Sequence, residues 1–230
     1  MVRPPSRGGG SGRGEATKVR ARKAHTPSSK AWIERQLNDD FVRAAKAQGY
    51  RSRAAFKLAE LDERFHLIRP GVRIVDLGCA PGGWIQIALE RGAGAVAGVD
   101  LLPVDPLPPA QILEMDFTDP AVAALLGDRL GGAPDIVLSD MAPNTTGHRA
   151  TDHLRIMGLV EAAADFAIAT LKPGGAFVTK AFQGGETAEL IARLKRHFAS
   201  VRHVKPRASR AESSEVYIVA TGFGAKPVRP

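Results

Sequence analysis

The 230-residue sequence predicts an α/β protein: a mainly parallel seven-stranded sheet with helices on both faces and an antiparallel hairpin at one edge. Three observations predict it. Seven short apolar runs stand between turn residues: VRIVDLG (72–78), GAVAGVD (94–100), AQILEMD (110–116), PDIVLSD (134–140), GAFVTKAF (175–182), SVRHVKP (200–206) and EVYIVATG (215–222). Helical stretches near 84–91, 120–130, 151–171 and 186–198 alternate with them, which is the pattern of a parallel sheet covered by helices. The last two runs follow each other without a helix, which suggests an antiparallel hairpin.

Ahead of the sheet, two helices are expected. Residues 32–48 place Trp32, Leu37, Phe41 and Ala44 roughly on one face. A second helix runs over 52–65, with Ser52 as candidate N-cap and Ala55, Leu58, Ala59 and Asp62 in register. Residues 1–30 differ in kind. They are rich in Gly, Ser, Pro and Arg, and eight Lys/Arg against one acid give them +7 of the total +8. Such a segment cannot bury enough apolar surface to fold alone, so it reads as a disordered basic arm with an anionic partner, most commonly nucleic acid. A transit peptide is disfavoured, because GGGSGRG would break an amphipathic helix. The organisation is then a basic tail (1–30), one domain (31–222) and a short C-terminal tail (223–230).

No run of eighteen apolar residues exists, so no membrane span is expected. The single cysteine, Cys79, excludes an intrachain disulfide and a cysteine-cluster metal site, and suits a reducing cytosol. His148 and His153 hint at metal but lack an evident third ligand, and no metal is expected.

The first strand ends in DLGCAPGGW, Asp76 to Trp84. In an open parallel sheet, ligands bind at the carboxyl ends of strands. Gly78, Gly82 and Gly83 allow close backbone approach, and the following helix N-terminus favours a negative group. The loop is neither a triphosphate cradle nor GxGxxG. The next strand ends in Asp100, suited to both hydroxyls of a ribose, and the third in Asp116 followed by Phe117, suited to an adenine amine and ring. The bland alternative is that these acids cap the following helices.

Four ionisable residues sit at motif edges: Lys57, Asp140, Lys180 and Glu215. Gathered in one cleft, they could take a proton from a weakly acidic hydroxyl. Singly, Lys57 reads as an exposed helix lysine and Glu215 as a strand-start acid. Lys180 is harder to dismiss, since an ammonium at an apolar strand's end needs a partner. Arg51 and Arg53 flank Lys57. Arg193, Lys195, Arg196, Arg202, Lys205, Arg207 and Arg210 lie in an acid-free stretch between Lys180 and Glu215. They are expected to rim the four residues and contact nucleic-acid phosphates, against the alternative of a solvated face.

Taken together, DLGCAPGGW, SDMAPN, the Lys180 strand with FQG after it, and SSEVYIVATG resemble the FtsJ-like family of ribosomal RNA large-subunit methyltransferases, over roughly residues 35–222. The resemblance implies a Rossmann-like S-adenosylmethionine-dependent methyltransferase fold. It implies S-adenosyl-L-methionine as cofactor, held by Asp76, Gly78, Pro81, Gly82, Gly83, Trp84, Asp100, Asp116, Phe117 and Asp140. It implies methylation of a ribose 2′-hydroxyl, in bacterial members that of a uridine in the peptidyl-transferase A loop of 23S rRNA within the 50S subunit. Lys57, Asp140, Lys180 and Glu215 match the family's Lys-Asp-Lys-Glu tetrad. On that reading Lys180 is the general base, Asp140 orients it near the cofactor methyl, and Lys57 and Glu215 position the ribose. The N-terminal helices (31–70) then serve both RNA and the catalytic site. A cytoplasmic monomer is expected. Two alternatives stay open: a 2′-O-methyltransferase of tRNA or another RNA, and a non-catalytic ribosome-assembly factor.

Overall fold

The computed structural model describes residues 3–4, 39–142, 149–183 and 188–225, the side chains of 149–153 excepted. The elements run α1 (Asp40–Ala47), α2 (Ala54–Phe65), β1 (Arg73–Leu77), α3 (Gly83–Glu90), β2 (Ala95–Asp100), β3 (Gln111–Glu114), α4 (Val122–Leu130), β4 (Ile136–Ser139), α5 (Arg149–Thr170), β5 (Ala176–Phe182), α6 (Ala188–His197), β6 (Phe198–Val204) and β7 (Glu215–Phe223). The strands form a seven-stranded sheet in the order β3-β2-β1-β4-β5-β7-β6. The first five pair in parallel. β7 runs antiparallel to both β5 and β6.

The chain's last strand therefore lies inside the sheet, and β6 takes the edge. Composition explains the choice. β7 is apolar on both faces and buried from Val216 to Ala220, whereas β6 carries exposed Arg202 and His203. A strand between two neighbours must be apolar on both sides, while a charged strand protects an edge from stray pairing.

Period-two alternation divides the core. Ile74, Ile136, Leu138, Val178, Tyr217 and Val219 face one way, against Leu58 and Leu61 of α2 and Ile85 and Ile87 of α3. Val75, Leu77, Val137, Phe177 and Ile218 face the other way, against α4, α5 and α6. Each fully buried Leu or Ile contributes about 1.5–3 kcal/mol relative to exposure.

Two sequence expectations shift near the N-terminus. The helix expected over 32–48 is described only from its cap, Asp39, whose carboxylate accepts from the N–H groups of Phe41 and Val42. Ser52 does not cap α2; Arg53 holds that position without a side-chain cap bond. Ser52 instead lies against Gly83, where an added Cβ would stand 2.4 Å from its hydroxyl. Contact with α3 has displaced the local cap. Cys79 is buried against Gly98, and desolvation pushes its thiol pKa up. His148 lies outside the described residues, as does the side chain of His153; among those described, no three His, Cys, Asp or Glu are placed to hold a metal.

Candidate active site

Sheet register builds the site. Leu77, Ser139, Thr179 and Ile218 stand side by side across β1, β4, β5 and β7. One residue further comes the row Gly78, Asp140, Lys180 and Tyr217, at the carboxyl ends of the parallel strands. Alternation turns Asp76, Asp140, Lys180, Glu215 and Tyr217 toward the face covered by α1 to α3. Lys57 enters from α2 on that same face. Residues far apart in sequence thus meet because their strands are neighbours.

The four ionisable residues form one contact network. Lys57 Nζ lies 2.9 Å from both oxygens of Glu215 and 3.7 Å from Asp140 Oδ2. Lys180 Nζ donates to the Asp140 carbonyl at 2.6 Å and stands 3.2 Å from Oδ1. Both lysines are only 8% exposed. Burying two ammonium groups costs several kcal/mol each unless carboxylates meet them; here two ammonium groups face two carboxylates. Burial alone would raise the Asp140 pKa, but Lys180, Lys57 and the Tyr217 hydroxyl outweigh it and hold the carboxyl below its ordinary range.

Sequence reading missed Tyr217. Its hydroxyl donates to Asp140 Oδ1 at 2.5 Å and accepts from Lys57 at 3.0 Å, joining the two halves of the network. Desolvation first, then Asp140 and Glu215, push its pKa well up, so the hydroxyl stays protonated and able to donate. The signal was present: Tyr217 is two residues beyond Glu215 and shares its face. Ser209 was missed too; its buried hydroxyl donates to Glu215 Oε1 at 2.6 Å.

A cleft of about 810 Å³ opens beside this network, lined by Gly78, Asp100, Asp116, Phe117, Asp140 and Met141 among others. Asp100 accepts the N–H groups of Ala80 and Leu102, both at 2.8 Å, which fixes its carboxylate at the mouth of the glycine loop. Asp116 accepts the Thr118 N–H and hydroxyl through one oxygen, and these bonds lower its pKa. Neither acid caps a helix, as the bland alternative would have it: no helix follows Asp100 before β3, and α4 has Ala121 at its cap position without a side-chain cap bond. Both acids make local turn bonds and line the cleft. Exposed Leu101 and Leu102 add apolar walls that sequence reading did not single out.

A small adjoining cavity is lined by Ser52, Asp76, Gly83 and Trp84, and shares Gly78 and Asp140 with the cleft. Asp76 is buried, and its Oδ2 has no hydrogen-bond partner; neither has the Ser52 hydroxyl. Desolvation, then Asp140 and Asp100, raise the Asp76 pKa well above the carboxylate range. A buried acceptor with nothing to accept suits a ligand ammonium. Gly78 (φ 72°) admits no side chain, for a Cβ would sit 2.1 Å from Met141 Cγ. The buried Asp76 oxygen fits an ammonium reaching in from the cleft, and the cleft itself fits an adenosine. Trp84 also donates its indole N–H to the Ala54 carbonyl at 2.8 Å, tying α3 to α2. Pro81 bounds the loop and gives its carbonyl to Arg51.

The basic residues do not form the single rim expected. α6 runs back across the sheet and ends where β6 begins, at the end opposite Glu215; the His197 carbonyl there accepts from Gly224, and the Phe223 carbonyl from Gly174. Arg193, Lys195 and Arg196 thus stand away from the four residues, and Arg193 pairs with Asp165 at 2.7 Å. Lys205, Arg207 and Arg210, in the loop before β7, are at the site's end. Lys205 donates to the Ala211 and Ser213 carbonyls, and Arg210 meets Asp39 at 3.2 Å. Arg53 binds Asp39 and the Ala208 carbonyl, and Arg51 binds three carbonyls. Lys195, Arg196, Arg202 and Arg207 are exposed.

Comparison with known proteins accords with this geometry. The family description FtsJ-like methyltransferase matches residues 50–223. The Caulobacter vibrioides protein named ribosomal RNA large subunit methyltransferase E is 62% identical over 223 residues, covering 97% of this chain and 99% of that one. Its namesake from Acidiphilium cryptum is 60% identical, covering 93% and 95%. A solved Plasmodium falciparum structure, described as a ribosomal RNA methyltransferase, superposes with TM-score 0.68 at 32% identity, covering 76% of this chain and 98% of that one.

Proposed function

The chain belongs to the FtsJ-like methyltransferase family, and on that premise we propose that it methylates large-subunit ribosomal RNA, using S-adenosylmethionine and Lys180 as general base. The acceptor is the ribose 2′-hydroxyl of a uridine in the A loop of 23S rRNA, within the 50S particle, and the enzyme works as a cytoplasmic monomer. The observation that carries this reading is the Lys57–Asp140–Lys180–Glu215 network beside the cleft of Asp100 and Asp116.

The cofactor supplies a methyl group on a sulfonium, already electrophilic. The chain's residues then have two tasks: to place the 2′-oxygen and to take its proton. Orientation alone can supply about 7–11 kcal/mol of barrier lowering in favourable cases. Lys57, fixed by Glu215 and Tyr217, holds the ribose. Lys180 takes the hydroxyl proton, and the ammonium so formed is the state that the Asp140 carboxylate meets at 3.2 Å. Asp76 and Ser52 hold the cofactor's amino-acid end, the glycine loop its middle, and Asp100, Asp116 and Phe117 its nucleoside. The RNA backbone lies across the exposed Arg202 and Arg207, with the N-terminal arm adding charge.

The test is methyl transfer from radiolabelled S-adenosylmethionine to methylation-deficient large subunits, free 23S rRNA and bulk tRNA, with Lys180→Ala alongside. Label on a 2′-O-methyluridine of the subunit, lost in the variant while cofactor still binds, is expected. Label on tRNA alone would overturn the substrate, and near-normal turnover by the variant would overturn the base.

A further inference from the structure

Arg51 stands six residues before Lys57, where a free arginine would meet substrate phosphate, but its side chain is engaged within the protein. Its Nη1 donates to the Pro81 carbonyl at 3.1 Å and to the Asp105 carbonyl at 2.7 Å; Nη2 donates to the Pro106 carbonyl at 3.0 Å. Pro81 belongs to the glycine loop. Asp105 and Pro106 belong to the irregular 101–110 connection, whose first residues, Leu101 and Leu102, wall the nucleoside cleft. The arginine is itself anchored, since its backbone N–H donates to Gln86 Oε1 at 2.8 Å, and Gln86 Nε2 donates to the Gly49 carbonyl at 2.9 Å. Gly82 completes the joint: a Cβ there would stand 2.5 Å from Leu107 and 3.1 Å from Arg51 Nη1.

We propose that Arg51 is a positioning residue for the cofactor: a clamp that ties the glycine loop to the 101–110 connection and so preorganises both walls of the cleft. The planar guanidinium suits the task, because its fixed fork reaches carbonyls of two separate segments at once, which a lysine's point charge does not. The 101–110 connection has no strand pairing and is held by the packing of Val104, Leu107 and Ala110 on the core and by this clamp. Losing the clamp therefore leaves more of its backbone order to the ligand, and that ordering lowers affinity. Arg51 then contributes to cofactor affinity and not to RNA contact.

This inference rests on the cofactor reading above, and the experiment separates the two. S-Adenosylmethionine binding is measured by calorimetry for the parent, Arg51→Met and Arg51→Lys, and 23S rRNA binding is followed against salt. The Kd for cofactor is expected to rise about tenfold or more in Arg51→Met. The lysine variant should recover only part of it. Loss in turnover should fall more on the cofactor KM than on kcat, and the salt slope of RNA binding should match the parent's. If either folded variant binds cofactor within about twofold of the parent, or if the slope falls by about 0.7–0.9 as for one lost phosphate contact, the clamp is wrong. If the parent itself binds no cofactor, the proposed function fails and the clamp with it.

Discussion

Tyr217 shows how much one hydroxyl can organise. It stands between Lys57 and Asp140, so Tyr217→Phe removes the bridge while keeping the ring that packs on Trp84, centroids 5.8 Å apart. Loss of a hydrogen bond to charged groups is worth about 1.5–3 kcal/mol, and a fall in kcat of roughly tenfold or more is expected at saturating cofactor; an unchanged kcat would show that the bridge does not set the reacting geometry. Asp76 carries the opposite lesson. Its folded pKa is raised, mainly by desolvation, so the folded state binds this proton more tightly than the unfolded chain does. Unfolding then releases a proton, and stability falls as pH rises from the ordinary carboxylate value toward the raised one. Asp76→Asn should therefore stabilise the cofactor-free protein at pH 7, by about 1–3 kcal/mol for a relieved buried acceptor. The gain should vanish in acid below the ordinary carboxylate value, where the carboxyl is protonated in both states. Urea unfolding at the two pH values checks this, and the same variant should bind cofactor more weakly.

Among the elements, the β1–α3 turn is the most constrained. Gly78 combines a left-handed φ with a Cβ position filled by Met141, and Gly83 closes on Ser52. Gly78→Ala adds about 1–3 kcal/mol of backbone strain and pushes on the residue that follows Asp140. Denaturation should show the stability loss, and cofactor titration an accompanying loss of affinity; a variant as stable as the parent would mean the turn relaxes freely. The turn was legible as DLGCAPGGW because only such a turn needs glycines there. The end of α2 facing it was not. Ser52 looks like a cap from local sequence, but packing against Gly83 overrides that preference. β6 and β7 were likewise readable as strands, yet their order in the sheet came from comparing the faces of each strand with the neighbours available.

For the whole molecule, charge is the feature the sequence displays most openly. The first thirty residues hold nearly all of the net charge. Deleting them should weaken RNA binding and flatten its dependence on salt, since each lost phosphate contact removes about 0.7–0.9 from the logarithmic slope; an unchanged slope would dismiss the arm as an RNA element. Whether a basic residue can face substrate was decided elsewhere. Arg193, Lys195 and Arg196 lie close to the site in sequence, but α6 carries them to the far end of the sheet. Arg51 and Arg53 lie beside Lys57 but are engaged with carbonyls and Asp39. The sequence alone determined the alternation of elements, the glycine turn and the four ionisable residues, because periodicity and backbone requirements act over a few residues and leave local marks. Only the tertiary structure decided which side chains meet. Contacts such as Lys180 with Asp140, Tyr217 with Lys57, or Arg51 with Pro106 depend on strand order, register and facing helices, which arise from burying the whole chain at once.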